Sequence, residues 1–149
     1  HMDPPGPMPS VEQGVALGEL TASAVDALLD AAGPDVASPL AIVEIRLLGG
    51  KLVAPQRVPN AVSGRDAAFT VLAIGVPAGP LGDQVEAHLS GVVDAVAPWS
   101  RGALLNLSGR RAHNRDELWP QAQREHLAEI RRRHDPAGVF SLTDPNNLG

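Results

Sequence analysis

Glu44 and Arg46 stand two residues apart in an otherwise apolar run, Leu40-Ala41-Ile42-Val43-Glu44-Ile45-Arg46-Leu47-Leu48. In a strand this spacing puts both on one face with Ile42 and Leu48, and puts Val43, Ile45 and Leu47 on the other. A carboxylate beside a guanidinium can orient a polar ligand or a partner, so the pair is a substrate-binding candidate. It can equally be the solvated face of a half-covered sheet, or a charged edge that resists aggregation. Asn106, alone between Leu105 and Leu107, poses the same choice. A buried amide needs hydrogen-bond partners, and these are either a neighbouring loop or a ligand.

Other chemistry is thinly represented. His88, His113, His126 and His134 have no mutual spacing of three or four residues, so no metal-ligand set is expected. There is no cysteine, hence no disulfide framework, thiolate site or Cys nucleophile. A Gly-x-Gly-x-x-Gly cradle is missing around Gly49-Gly50 and Gly75, and so is a Gly-x-Ser-x-Gly elbow. Arg131-Arg132-Arg133 falls where a helix should end, and cations there oppose the negative end of the helix dipole.

These residues need a scaffold, and the composition bounds it. A chain of 149 residues with 44% apolar content forms one domain with a real core. At 3% aromatic content, Ala, Val and Leu must fill that core. A formal net charge of -5 argues against a nucleic-acid partner. No apolar run approaches the ~20 residues of a membrane span, and no signal peptide shows, so a cytoplasmic protein with no membrane partner is expected. His1-Met2 resembles a scar of tag cleavage.

The Pro-rich first ten residues read as a flexible lead, extended to residue 18 before the domain proper at 19–149. Val25, Leu28, Leu29 and Ala32 form one helical stripe, giving a helix over 23–32 capped by Thr21 or Ser23 and ended by Gly33-Pro34. Strands are predicted over 39–48 and 67–76, with 51–54 pairing back on the first. A second helix, 81–96, buries Val85, Leu89, Val92, Val93 and Val96. A third strong strand is predicted over 102–107. The last helix, 116–133, carries Leu118, Trp119, Ala122, His126 and Ile130 along one side, Asp135-Pro136 stops it, and Val139-Phe140 returns to the core. Too few strands alternate with the helices for a doubly wound sheet. The fold class is therefore α+β, an antiparallel sheet covered by helices on one face.

Several segments together resemble one family. Ala103-Leu104-Leu105-Asn106-Leu107-Ser108-Gly109 precedes Arg124-Glu125-His126-Leu127-Ala128-Glu129-Ile130-Arg131-Arg132-Arg133-His134-Asp135-Pro136-Ala137-Gly138-Val139-Phe140. This is similar to the C-terminal end of FAD-linked oxidases of the berberine-bridge-enzyme type: a Tyr-x-Asn strand, a helix Tyr-Gly-x-Asn-Tyr-x-Arg-Leu-x-x-Ile-Lys, then Tyr-Asp-Pro-x-x-x-Phe. Glu44-Ile45-Arg46-Leu47-Leu48-Gly49-Gly50 resembles the Glu-Leu-Arg-x-Leu-Gly-Gly strand of bacterial members, and Arg65-Asp66-Ala67-Ala68-Phe69 their His-Arg-Asp-Ala-x-Tyr. The likeness runs from about residue 20 to 142.

The resemblance implies the later part of the substrate domain and the tail that returns to the flavin domain, without the region that anchors FAD. It implies that Asn106 and Gln123 approach the cofactor and that Glu44 and Arg46 line the substrate side. Leu104 and Leu107 stand where the family often has Tyr, one of which acts as base in several members, and Leu moves no proton. Pro120-Gln121-Ala122-Gln123 stands where the family has Tyr-Gly-x-Asn, and only Gln123 keeps an amide. The expectation is a substrate-domain fragment of an FAD-linked oxidoreductase, with no catalytic or metal residue of its own. It would hold no FAD alone and would work with a flavin-binding domain or subunit. The alternatives are a stand-alone α+β interaction or small-ligand-binding module, or one half of a split oxidase. Apolar strand faces left open without that domain imply a homodimer.

Overall fold

The computed structural model describes residues 6–7, 9–109 and 115–140. His1-Met2 and His113 lie outside them. Three strands, β1 (Val11–Leu17), β2 (Leu40–Leu47) and β3 (Phe69–Gly75), form an antiparallel sheet in the order β1-β3-β2. Helices α1 (Ala22–Ala32) and α2 (Val85–Ala95) cover one face. A one-turn helix α3 (Arg115–Leu118) and the longer α4 (Gln121–His134) follow. The fold is α+β, as expected.

The two cover helices form for the reasons their sequences give. Thr21 caps α1: its hydroxyl accepts from the Ala24 amide at 3.1 Å. Gly33 closes the helix by donating to the Leu29 carbonyl at 2.7 Å. In α2 and its C-cap Val96, every residue of the expected stripe, Val85, Leu89, Val92, Val93 and Val96, is buried. Below it lie Val15 and Leu17 of β1 and Val71 and Ala73 of β3, the centre of the core. A part-buried polar link crosses this layer, from Gln13 Nε2 to Ser90 Oγ at 3.3 Å.

Residues 11–17, expected in the flexible lead, are instead β1. The segment lacks a clean polar–apolar alternation because both of its faces are covered: Gln13 to Leu17 are all buried. It pairs along its whole length with β3, from Val11 opposite Gly75 to Leu17 opposite Phe69.

The strand expected over 102–107 does not join the sheet. Single bridges tie its flanks to β1, Ser100 to Leu17 and Gly109 to Gln13, and between them Leu105–Leu107 coil into a 3-10 turn. Two serine hydroxyls take the Leu105 backbone groups that a ladder would need. Ser63 Oγ accepts from the Leu105 amide at 3.0 Å, and Ser108 Oγ donates to the Leu105 carbonyl at 2.9 Å. The turn crosses β1 at Gly14, where any Cβ would run into the Leu107 carbonyl oxygen. Gly109, at φ 54°, turns the chain back against the Glu12 carbonyl.

Two further expectations give way. Residues 51–54 form turns, with Leu52 and Ala54 amides bonded back to the Gly49 and Gly50 carbonyls at 3.1 Å, so no strand pairs back on β2. The last helix is broken at Pro120, which ends α3 and stands at the head of α4 with φ -56° and ψ 153°. Leu118 is buried before the break, but Ala122, His126 and Ile130 after it are exposed, and so are Val139 and Phe140. The tail does not return to this core.

Candidate functional site

The main cleft, about 640 Å³, opens between the 60–66 loop, Ser100–Gly102 and the junction of α3 with α4. The Ser100–Gly102 wall runs beside β1, where the Arg101 amide donates to the Ala16 carbonyl at 2.8 Å and the Gly102 carbonyl accepts from the Ala16 amide at 2.8 Å. Asn60 organises the first wall. Its Oδ1 accepts from the Val62 amide at 3.3 Å and from Arg65 Nε at 3.3 Å, an Asx turn. Arg65 also donates through Nη1 to the Leu52 carbonyl, so its guanidinium is engaged in holding the loop.

The opposite wall is tied to this loop twice. The Trp119 indole N–H donates to the Ala61 carbonyl at 2.7 Å. Gln123 Nε2 donates to the Asn60 carbonyl at 3.4 Å. Asp116, at the rim, pairs with Arg124. Arg101 forms the third side. It is exposed, its stem lies against Gly18, and its guanidinium has no hydrogen bond or ion pair among the described residues. It also reaches a smaller cleft of about 330 Å³ beside Glu19 and Trp99. Among the described residues the cleft thus offers one uncommitted cation, an indole and several amides, a set that can hold a small polar or anionic molecule. Among the described residues no group of His, Asp and Glu could hold a metal ion.

Of the residues picked out by sequence, Gln123 alone lines this cleft. Asn106 sits exposed in the turn over β1. Glu44 and Arg46 lie on β2, the far edge of the sheet, with β3 between them and β1. They pair with each other: Arg46 donates to the Glu44 carboxylate through Nε and, at 3.0 Å, through Nη2. That hydrogen bond first, and the carboxylate's charge second, holds the Arg46 guanidinium above its ordinary range. Neither of the two clefts, as the described residues line them, includes Asn106, Glu44 or Arg46.

Asn60, Ser63, Arg101 and Trp119 escaped the sequence reading. Trp119 carried the one usable signal. An indole at a helix end is apolar in body but needs a partner for its N–H when half-buried. Loop residues such as Asn60 and Ser63 show no periodicity, and only tertiary contact reveals what they hold.

The described residues contain no helix long and apolar enough to cross a membrane. Compared with known protein families and with curated proteins, the chain matches none.

Proposed function

We propose that this chain is the substrate-domain and C-terminal portion of an FAD-linked oxidoreductase, working with a flavin-binding domain or subunit that holds the cofactor. The observation that carries this reading is the state of α4. No residue of Gln121–His134 is buried, and beyond it Val139 and Phe140 are 71% and 72% exposed. Helices in proteins draw most of their stability from packing. The tail is nonetheless an ordered unit, because Asp135 accepts from the Val139 and Phe140 amides at 2.7 and 3.1 Å. A formed helix with no buried residue, followed by an exposed Val139-Phe140 pair, suits a segment whose counterpart is another domain. The resemblance assigns that role to the flavin domain.

The three-stranded antiparallel sheet with helices on one face agrees with a substrate domain. In this reading the 640 Å³ cleft receives substrate. Arg101 holds its anionic group, and Trp119 with Gln123 shapes the wall. FAD, when bound by the partner domain, supplies the hydride acceptor. This chain's part is to bind, orient and exclude water, and no proton transfer is assigned to Leu104 or Leu107.

Hydrogen exchange tests the reading. Amides of α4 should exchange quickly in this chain and slowly when it is produced together with its flavin domain. Equal exchange in both would overturn it.

The cleft is built wholly by this chain, and its volume falls within the range of small-ligand sites. That favours the second reading, a stand-alone ligand-binding module. Tight binding of a small carboxylate by this chain alone, lost in Arg101→Ala, would select it.

A further inference from the structure

Among the described residues strand β2 pairs with β3 on one side only, so its other edge offers unpaired backbone groups. Its side chains carry a second message. Ile45 faces Val71, Val43 faces Ala73 and Leu47 faces Phe69 across the ladder, so all three lie on the helix-covered face. They nonetheless stick out past the helices: Leu47 is 76%, Ile45 43% and Val43 36% exposed. Leu40–Leu47 contains no proline, and its one irregularity falls at Leu40/Ile42, before this stretch. The usual devices that blunt an edge are thus missing from 43–47, apart from two charges. Those charges are of opposite sign.

We infer that β2 is the docking edge for a second copy of this chain, antiparallel and centred on Ile45, giving a continuous six-stranded sheet. The register follows from symmetry and charge. In a two-fold antiparallel pair, facing residues must share a face of the sheet, so a residue sits on the axis opposite its own copy. Centring on Glu44 would set Glu against Glu, and centring on Arg46 would set Arg against Arg. Centring on Ile45 sets Glu44 of each copy against Arg46 of the other. On the opposite face it sets Ile45 against Ile45 and Val43 against Leu47, extending the apolar layer below the helices. Cross-strand apolar and opposite-charge pairs of this kind are what stabilise a ladder. A same-sign edge would repel its copy, whereas an opposite-sign pair two residues apart is self-complementary. The inference does not depend on the flavin reading.

Light scattering on the full chain at micromolar concentration tests it. Wild type should weigh twice the chain's 15.5 kDa. Glu44→Arg alone and Arg46→Glu alone should each run at the single-chain mass, with unchanged circular dichroism. Mixed in equal amounts they should dimerise, because every facing pair is then of opposite charge while the pair within each strand stays broken. Ile45→Lys, which sets two cations on the axis, should also run at the single-chain mass and serves if either charge variant misfolds. The inference is overturned by a wild-type chain that stays single at all concentrations, by single charge variants that remain paired, or by a mixture that stays single.

Discussion

The indole N–H of Trp119 reaches the backbone carbonyl of Ala61 at 2.7 Å and fastens the α3–α4 junction to the 60–66 loop. The bond ties two walls of the cleft together. A longer contact, from Gln123 Nε2 to the Asn60 carbonyl at 3.4 Å, joins the same two walls.

Replacing Trp119 with Phe keeps an aromatic body and removes the donor. It should cost about 1 kcal/mol in urea unfolding, the net worth of a neutral hydrogen bond. Hydrogen exchange of α3 and the 60–66 loop should rise while β3 stays protected. Uniform destabilisation with no local change would show that the bond does not hold the cleft together.

Leu89 is fully buried at the centre of α2's inner face. Leu89→Ala should cost roughly 2–5 kcal/mol through lost burial and an unfilled cavity. A loss below 1 kcal/mol in thermal or urea unfolding would mean that α2 does not cover the sheet as described.

Thr21→Ala removes the side-chain cap of α1 and should cost about 1 kcal/mol. Thr21→Ser keeps the oxygen and should stay close to wild type in the same unfolding experiment.

Gly14→Ala places a methyl against the Leu107 carbonyl, backbone against backbone. The 3-10 turn must then lift from β1. The expected result is a loss on the order of 1–3 kcal/mol, the size typical of overpacking, with faster exchange at 105–109. An unperturbed variant would contradict the crossing of that turn over β1.

The helices and central strands were legible because their periodicity is strong. Val85 to Val96 reads as a helix from its stripe alone, and residues 69–75 read as a strand from their apolar run. β1 was not legible, since Gln13 and Gly14 interrupt it and burial on both faces removes alternation. Leu105–Leu107 has the composition of a strand, yet Ser63 and Ser108, one of them distant in sequence, capture its backbone. Leu118 and Trp119 continued into α4 as one apolar side on paper, and Pro120 divides them from it in the fold. The cleft was hardly legible. Gln123 came only through a resemblance, and Asn60 and Arg101 sit in loops that carry no pattern.

The visible absorption spectrum of this chain, produced together with the protein encoded immediately upstream of it, tests the central claim most directly. The account predicts a yellow complex with the two flavin bands, from which removal of residues 121–140 releases this chain. A colourless preparation, or an upstream reading frame encoding no flavin-binding domain, would contradict it.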